Sequence, residues 1–259
     1  MISNKTDYNA NCYKGKGGVV GRLWSEFKLL MRSIPSPVVS LFVMSVIMMN
    51  LLANKEITTG IPWLVMDCGF TLSWLSFLVM DMITKRFGAK ASIMVSAFAV
   101  SCNLLVCLIL VGVKHLPGNW GAYYDFGLVE VNQALNNTFG GTWYVLLGST
   151  LAFMASSVAN ALINAAIGRA TTTSGFMNFA LRSWVSTLLA QFVDNFVFAF
   201  VVSHVFFGWT MTQVLVCSLA GCVIELLCEV VFSPFGYRVA KQWERDNVGS
   251  AYIDREVRK

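Results

Sequence analysis

Six long apolar runs, at roughly 38–54, 61–83, 91–113, 142–167, 179–207 and 209–233, leave this chain of 259 residues few ways to fold. About 20 apolar residues at ~1.5 Å rise each span a bilayer core ~30 Å thick. Only 13% of the residues are charged, against about 25% in soluble domains, and the mean hydropathy is +0.62. The expectation is an all-α integral membrane protein with six transmembrane helices in one compact bundle. Residues 1–37 read as a tail carrying an interfacial amphipathic helix, 38–236 as the six-helix membrane domain, and 237–259 as a second tail.

The basic residues orient the bundle. With the amino terminus in the cytoplasm, 17 of the 19 lysines and arginines fall in inner segments, leaving only Lys55 and Lys114 outside. Positive residues concentrate in cytoplasmic loops, so both termini are expected there. No signal peptide is evident in the polar first 18 residues. The net charge of +5 is spread over short loops and tails and points to no nucleic-acid partner. Between 19 and 34, Leu23, Trp24, Phe27, Leu30 and Met31 alternate with Arg22, Lys28 and Arg32. That pattern suits a helix at the membrane surface or one packed on its own bundle. The long outer connection, 115–141, holds Trp120, Tyr123, Tyr124 and Phe126, an interfacial aromatic set with room for a short re-entrant helix or a lid. Asn136-Asn137-Thr138 fits a glycosylation sequon there, a pattern of low specificity.

Seven cysteines form no C-x-x-C pair and join no histidine cluster, so free thiols and no metal or cofactor are expected. With two histidines, no H-E-x-x-H and no G-x-S-x-G, the chain offers no catalytic constellation and reads as a non-enzyme. His204 reads as a packed or interfacial histidine rather than a proton relay.

Five of the fourteen acidic residues fall inside apolar runs: Asp67, Asp81, Asp194, Glu225 and Glu229. A carboxylate at mid-bilayer costs at least ~2.5–3.5 kcal/mol and must face the bundle interior or a wet cavity. Gln191, Asp194, Asn195 and Phe198 are spaced i, i+3, i+4, i+7, so they share one helical face near mid-depth. This face is expected to be the centre of a binding site. Asp67, Thr71, Trp74, Leu78 and Asp81 read as a second stripe along the second helix. Asn50 and Asn54 lie at i, i+4 near the outer end of the first helix, and Asn160 and Asn164 near the inner end of the fourth. Asparagines in such places also serve as interhelical hydrogen-bond glue, ~0.6 kcal/mol each. Asp81, beside Lys85 and Arg86, reads as an ion-pair partner or a proton site. Glu225 and Glu229 are further candidates for proton coupling. A carboxylate accepts two parallel N–H bonds and amides offer donor and acceptor edges. A guanine-like edge fits that chemistry, with Phe70, Trp74, Trp184 and Phe198 available for stacking; other planar amide-bearing solutes fit it too.

Three stretches carry a family resemblance. N-L-L-A-N-K runs from Asn50 to Lys55, and M-D-M-I-T-K-R-F-G from Met80 to Gly88 is similar to a T-D-x-x-x-E-x-Y-G pattern. The third, R-x-x-x-S-T-x-x-x-Q-x-x-D-x-x-x-F, is occupied by Arg182, Ser186, Thr187, Gln191, Asp194 and Phe198; Pro234 and Tyr237 fit a closing P-x-x-Y. In this order the motifs resemble those of the vitamin-uptake-transporter-like (VUT) family of bacterial queuosine precursor transporters. The resemblance implies a multi-pass protein of the bacterial inner membrane that takes up 7-deazaguanines for salvage into tRNA modification. Those solutes include 7-cyano-7-deazaguanine, 7-aminomethyl-7-deazaguanine and queuine. It also implies a fold like the six-helix substrate-binding subunits of energy-coupling-factor transporters.

Two positions depart from the pattern: Lys85 stands where the family has an acid, and Glu225 and Glu229 lie where a lysine often precedes the last motif. Substrate choice can differ accordingly. The bulky first run (V-V-S-L-F-V-M) lacks the small-residue docking face of those binding subunits and favours a self-sufficient carrier. A partner-dependent binding subunit for another vitamin-like or nucleobase solute is the alternative. The expected route runs past Asn50 and Asp67 to Asp194 and Gln191, and out past Glu225 and Asp81. A homodimer is reasonable for a bundle this small.

Overall fold

The computed structural model describes residues 18–170 and 176–257, without the side chains at 157, 160–184, 186, 187, 229 and 233. Expectations placed on Asn160, Asn164, Arg182, Trp184, Ser186, Thr187 and Glu229 therefore lie outside the described residues.

Helix α1 (Val19–Ser33) is amphipathic as expected and turns through 107° at Pro35 into α2 (Ser36–Leu52). Proline cannot donate the next backbone hydrogen bond and restricts the residue before it, so the chain breaks there. Leu30 and Ile34 are buried while Val20 and Trp24 stay exposed. One face of this helix thus packs on the bundle, as one of the two readings expected, and the other is left exposed.

The second run does not begin as a helix. Residues 56–67 form a hairpin in which β1 (Glu56–Thr58) pairs antiparallel with β2 (Val65–Asp67), Glu56 opposite Asp67. Gly60, with φ +79°, and Pro62 punctuate the turn, and Thr59 Oγ1 donates to the Leu64 carbonyl at 2.7 Å. Only at Phe70 does α3 (Phe70–Phe87) start. Asp67 is consequently a hairpin residue, and the expected stripe from Asp67 to Asp81 is not a helical face. Gly88 turns the chain into α4 (Ala89–Lys114).

The outer connection folds as two short helices, α5 (Gly121–Phe126) and α6 (Val129–Gly140). Trp120 Nε1 donates to Asn136 Oδ1 at 2.8 Å, so the sequon asparagine is held within a helix by that indole. Then come α7 (Trp143–Ala170) and α8 (Phe176–Phe198). A π-helical turn (Ala199–His204) and α9 (Val205–Phe207) continue from α8. Thr210 and Gln213 form a capping box at the start of α10 (Met211–Arg245), a helix that runs through Pro234 and across the expected boundary at 236. Helix α11 (Ser250–Val257) ends the described chain.

Among the described residues three helices are long and apolar enough to cross a membrane: Ala89–Lys114, Leu188–Phe207 and Met211–Phe232. The bent α1–α2 pair makes up to four. The protein is therefore helical and membrane-embedded, apart from its two-stranded hairpin.

The largest apolar core joins Phe42 and Val46 of α2, Leu78 and Ile83 of α3, and Val95 and Ala99 of α4. Leu30, Trp243 and Tyr252 extend it toward both terminal segments. Polar contacts tie that end together. Lys90 pairs with Glu26 and, at 3.6 Å, with Glu256, while Arg86 Nε donates to the Val248 carbonyl at 3.1 Å. Lys85 places its ammonium 3.7 Å over the ring of Tyr237 and also lies within electrostatic reach of Asp81. The Tyr237 hydroxyl, hydrogen-bonded to Lys241, is held below the usual phenol range. Such a shift reflects the positive potential at this end of the bundle.

Candidate functional site: an acidic cavity between the helices

Asp67 ends β2 with its Oδ1 accepting the Gly69 amide at 2.8 Å, a local turn that starts α3. Gly69 lies so close to α2 that an added Cβ would sit 2.7 Å from the Met49 carbonyl oxygen. Only glycine fits there. This contact fixes the rotation of α3, so that Phe70, Ser73, Phe77 and Met80 face the bundle interior. The expected stripe, Thr71, Trp74, Leu78 and Asp81, is turned away by one residue, or ~100°. Trp74 instead stacks on Phe232 with ring centroids 4.4 Å apart, and its indole donates to the Thr71 carbonyl. Neither Trp74 nor Asp81 lines the cavity, and stacking there falls to Phe70, Phe77 and Phe198.

On α8 the expected face is partly kept. Asp194, Asn195 and Phe198 line the cavity, but Gln191 does not. Gln191 is only 2% exposed, and neither of its amide atoms has a hydrogen-bond partner. Asp194 Oδ1 accepts from Ser156 Oγ of α7 at 2.9 Å. The carboxylate of Glu225, on α10, joins three helices: its Oε1 accepts from Ser73 Oγ of α3 at 2.5 Å and its Oε2 from Asn195 Nδ2 of α8 at 3.1 Å. Gly221, one turn before Glu225, makes room for this arrangement. An added Cβ would lie 3.0 Å from Asn195 Nδ2. Gly221→Ala should therefore push Asn195 off Glu225 and weaken ligand binding by about 5–20-fold, the loss of one charge-assisted hydrogen bond. Titration of the purified variant checks this, and unchanged affinity would remove Asn195 from the site.

Three adjoining chambers follow the bundle. The middle one encloses about 480 Å³ of atom-free space, its open side included. It shares Asp67, Phe70, Asn195 and Phe198 with a chamber of about 340 Å³ beneath Trp209. Toward Phe42 and Ser96 it shares Met49, Phe77, Ser149 and Asp194 with one of about 520 Å³. Three carboxylates, Asp67, Asp194 and Glu225, line the middle chamber, and among the described residues no lysine, arginine or histidine lines any of the three chambers. Asn50, 3% exposed, also lines it, and its side-chain amide makes no hydrogen bond among the described residues. Sequence reasoning missed Ser73, Phe77 and Ser149. Their only signal was the i, i+3, i+7 spacing of Phe70, Ser73 and Phe77, which a run apolar on every side does not set apart.

At the upper chamber, Trp209 donates its indole N–H to Glu56, and its carbonyl meets His204 Nδ1. His204 is thus the packed histidine expected. Gln213 Nε2 donates to the Pro62 carbonyl at 2.9 Å, holding the hairpin turn to the start of α10. Among the described residues no three His, Cys, Asp or Glu side chains are grouped to hold a metal, and six cysteines are free.

Buried carboxylates and amides around an aromatic-lined chamber, enclosed by apolar helices, define a membrane protein built to handle a small polar solute. The chain belongs to the family described as "Putative vitamin uptake transporter", whose model matches residues 67–239, most of its length. The family is the one expected from the motifs at 80–88, 182–198 and 234–237, while Asn50 to Lys55 lies before the matched stretch. No curated protein and no solved structure matches the chain.

Proposed function

We propose that this protein is a multi-pass transporter of the bacterial inner membrane that takes up queuosine precursors for salvage into tRNA modification. Its solutes are 7-deazaguanines such as 7-cyano-7-deazaguanine, 7-aminomethyl-7-deazaguanine or queuine. In this reading α2, α3, α4, α7, α8 with its π-turn, and α10 are the six crossings. Both termini face the cytoplasm, where the sequence places 17 of its 19 basic residues. The observation that carries the substrate is the middle chamber, where Asp194, Asn195 and Asn50 stand beside Phe70, Phe77 and Phe198. A guanine-type edge presents an N1–H and an exocyclic amine side by side, matching the two oxygens of one carboxylate. The flat ring stacks on phenylalanine. Asp194 is the natural partner for that edge, because Ser156 engages Oδ1 and no described residue engages Oδ2.

Calorimetric titration of the purified full-length chain in nanodiscs tests the reading, with deazaguanines, guanine, riboflavin, thiamine and biotin as the panel. Saturable deazaguanine binding is expected, together with uptake into vesicles containing this chain alone. Binding of a vitamin with no response to any deazaguanine would end it. Binding without uptake would identify a partner-dependent binding subunit.

A further inference from the structure

We infer that the middle chamber selects solutes bearing a positive charge, with Asp67 and Glu225 anchoring an ammonium group while Asp194 takes the hydrogen-bonding edge of the ring. This rests on the deazaguanine reading above and narrows it to the members that carry an amine.

The charge balance of the site is one-sided. Asp67, Asp194 and Glu225 line one chamber, and among the described residues no cationic side chain lines it or either neighbour. None of the three carboxylates forms an ion pair among the described residues, whereas Lys90, at the start of α4, pairs with Glu26 and Glu256. A monocation offsets the charge of an ionised carboxylate directly in a low dielectric, which a neutral solute does not.

Independent of the carboxylates, the amide of Asn50 is almost wholly buried, lines the same chamber and is unpartnered. Its carbonyl oxygen is a further acceptor for an ammonium, which has three N–H donors and accepts nothing. Glu225 is preset for such a group, because Ser73 and Asn195 each hold one of its oxygens while lone pairs remain on both. Asp67 has Oδ1 engaged by the Gly69 amide and, like Glu225, keeps lone pairs for a further donor. Three positions from three segments of the fold, Asn50 near the end of α2, Asp67 of the hairpin and Glu225 of α10, therefore converge as acceptors with no cationic side chain among the described residues beside them.

Titration of the purified full-length chain in nanodiscs with 7-aminomethyl-7-deazaguanine and 7-cyano-7-deazaguanine reads the inference directly. These two share the ring edge and differ in charge at the 7-substituent. The amine is expected to bind at least about tenfold more tightly than the nitrile. Glu225→Gln and Asp67→Asn should each bring that ratio down to about threefold or less, and either variant suffices if the other does not fold. Equal affinities, or preference for the nitrile, would overturn charge selection while leaving the deazaguanine reading in place. Binding of neither compound would remove the deazaguanine reading and this inference together.

Discussion

Vesicles containing Asp194→Asn protein should take up deazaguanine about 100-fold more slowly than wild type, at equal protein content. The carboxylate of Asp194 faces two chambers and is positioned from behind by Ser156. Asparagine keeps the size and the Ser156 contact but replaces one acceptor oxygen with a donor. The paired N–H groups of the solute would then meet one acceptor and one repelling N–H. Losing a charge-assisted hydrogen bond and leaving a buried donor unpaired together cost about 2.5–4 kcal/mol, enough for that factor. Removing a charge from mid-bilayer should ease insertion rather than hinder it. Lost uptake with normal membrane levels would thus mark a binding defect. Wild-type uptake by the variant would take Asp194 out of the role.

Glu225→Ala is expected to cost stability as well as transport. The side chain is 2% exposed and accepts from Ser73 and Asn195, so it ties α3 and α8 to α10 at one point. Alanine leaves both donors without an acceptor in a buried setting, at about 1–3 kcal/mol each. For a chain of this size the melting temperature in detergent should drop by about 2–4 °C per kcal/mol. Glu225→Gln, which still offers one carbonyl oxygen, should fall in between. An alanine variant that melts with the wild type would show that the three-helix tie contributes nothing to holding the bundle.

How much of this could be read without coordinates differs from helix to helix. On α8 the spacing of Asp194, Asn195 and Phe198 was sufficient, because polar groups in an apolar run have only the interior to face. Gln191 obeyed the same rule by being buried, yet it took no place in the cavity wall. On α3 the reading was one residue out. Its apolar residues cover every side, so hydropathy could not separate the face with Phe70, Ser73 and Phe77 from the face with Trp74 and Asp81. The contact of Gly69 with the backbone of α2 separates them, and that contact joins positions twenty residues apart through space. The hairpin was hidden for a related reason. Residues 61–67 are apolar enough to pass for the start of a crossing, and their return onto the preceding connection shows only in the register of Glu56 with Asp67.

By itself the sequence determined that the chain is helical and membrane-embedded, to which family it belongs, and that Asp194 faces the interior of the bundle. Solvation dictates these things: lipid accepts neither open backbone groups nor lone charges, whatever the arrangement. Only the tertiary structure decided which carboxylates share a chamber and that no cation among the described residues joins them. The meeting of Asp67, Asp194 and Glu225 depends on how three separate segments are rotated against each other. Rotation is set by the close fit of glycines and side chains between neighbouring helices, which local periodicity does not encode.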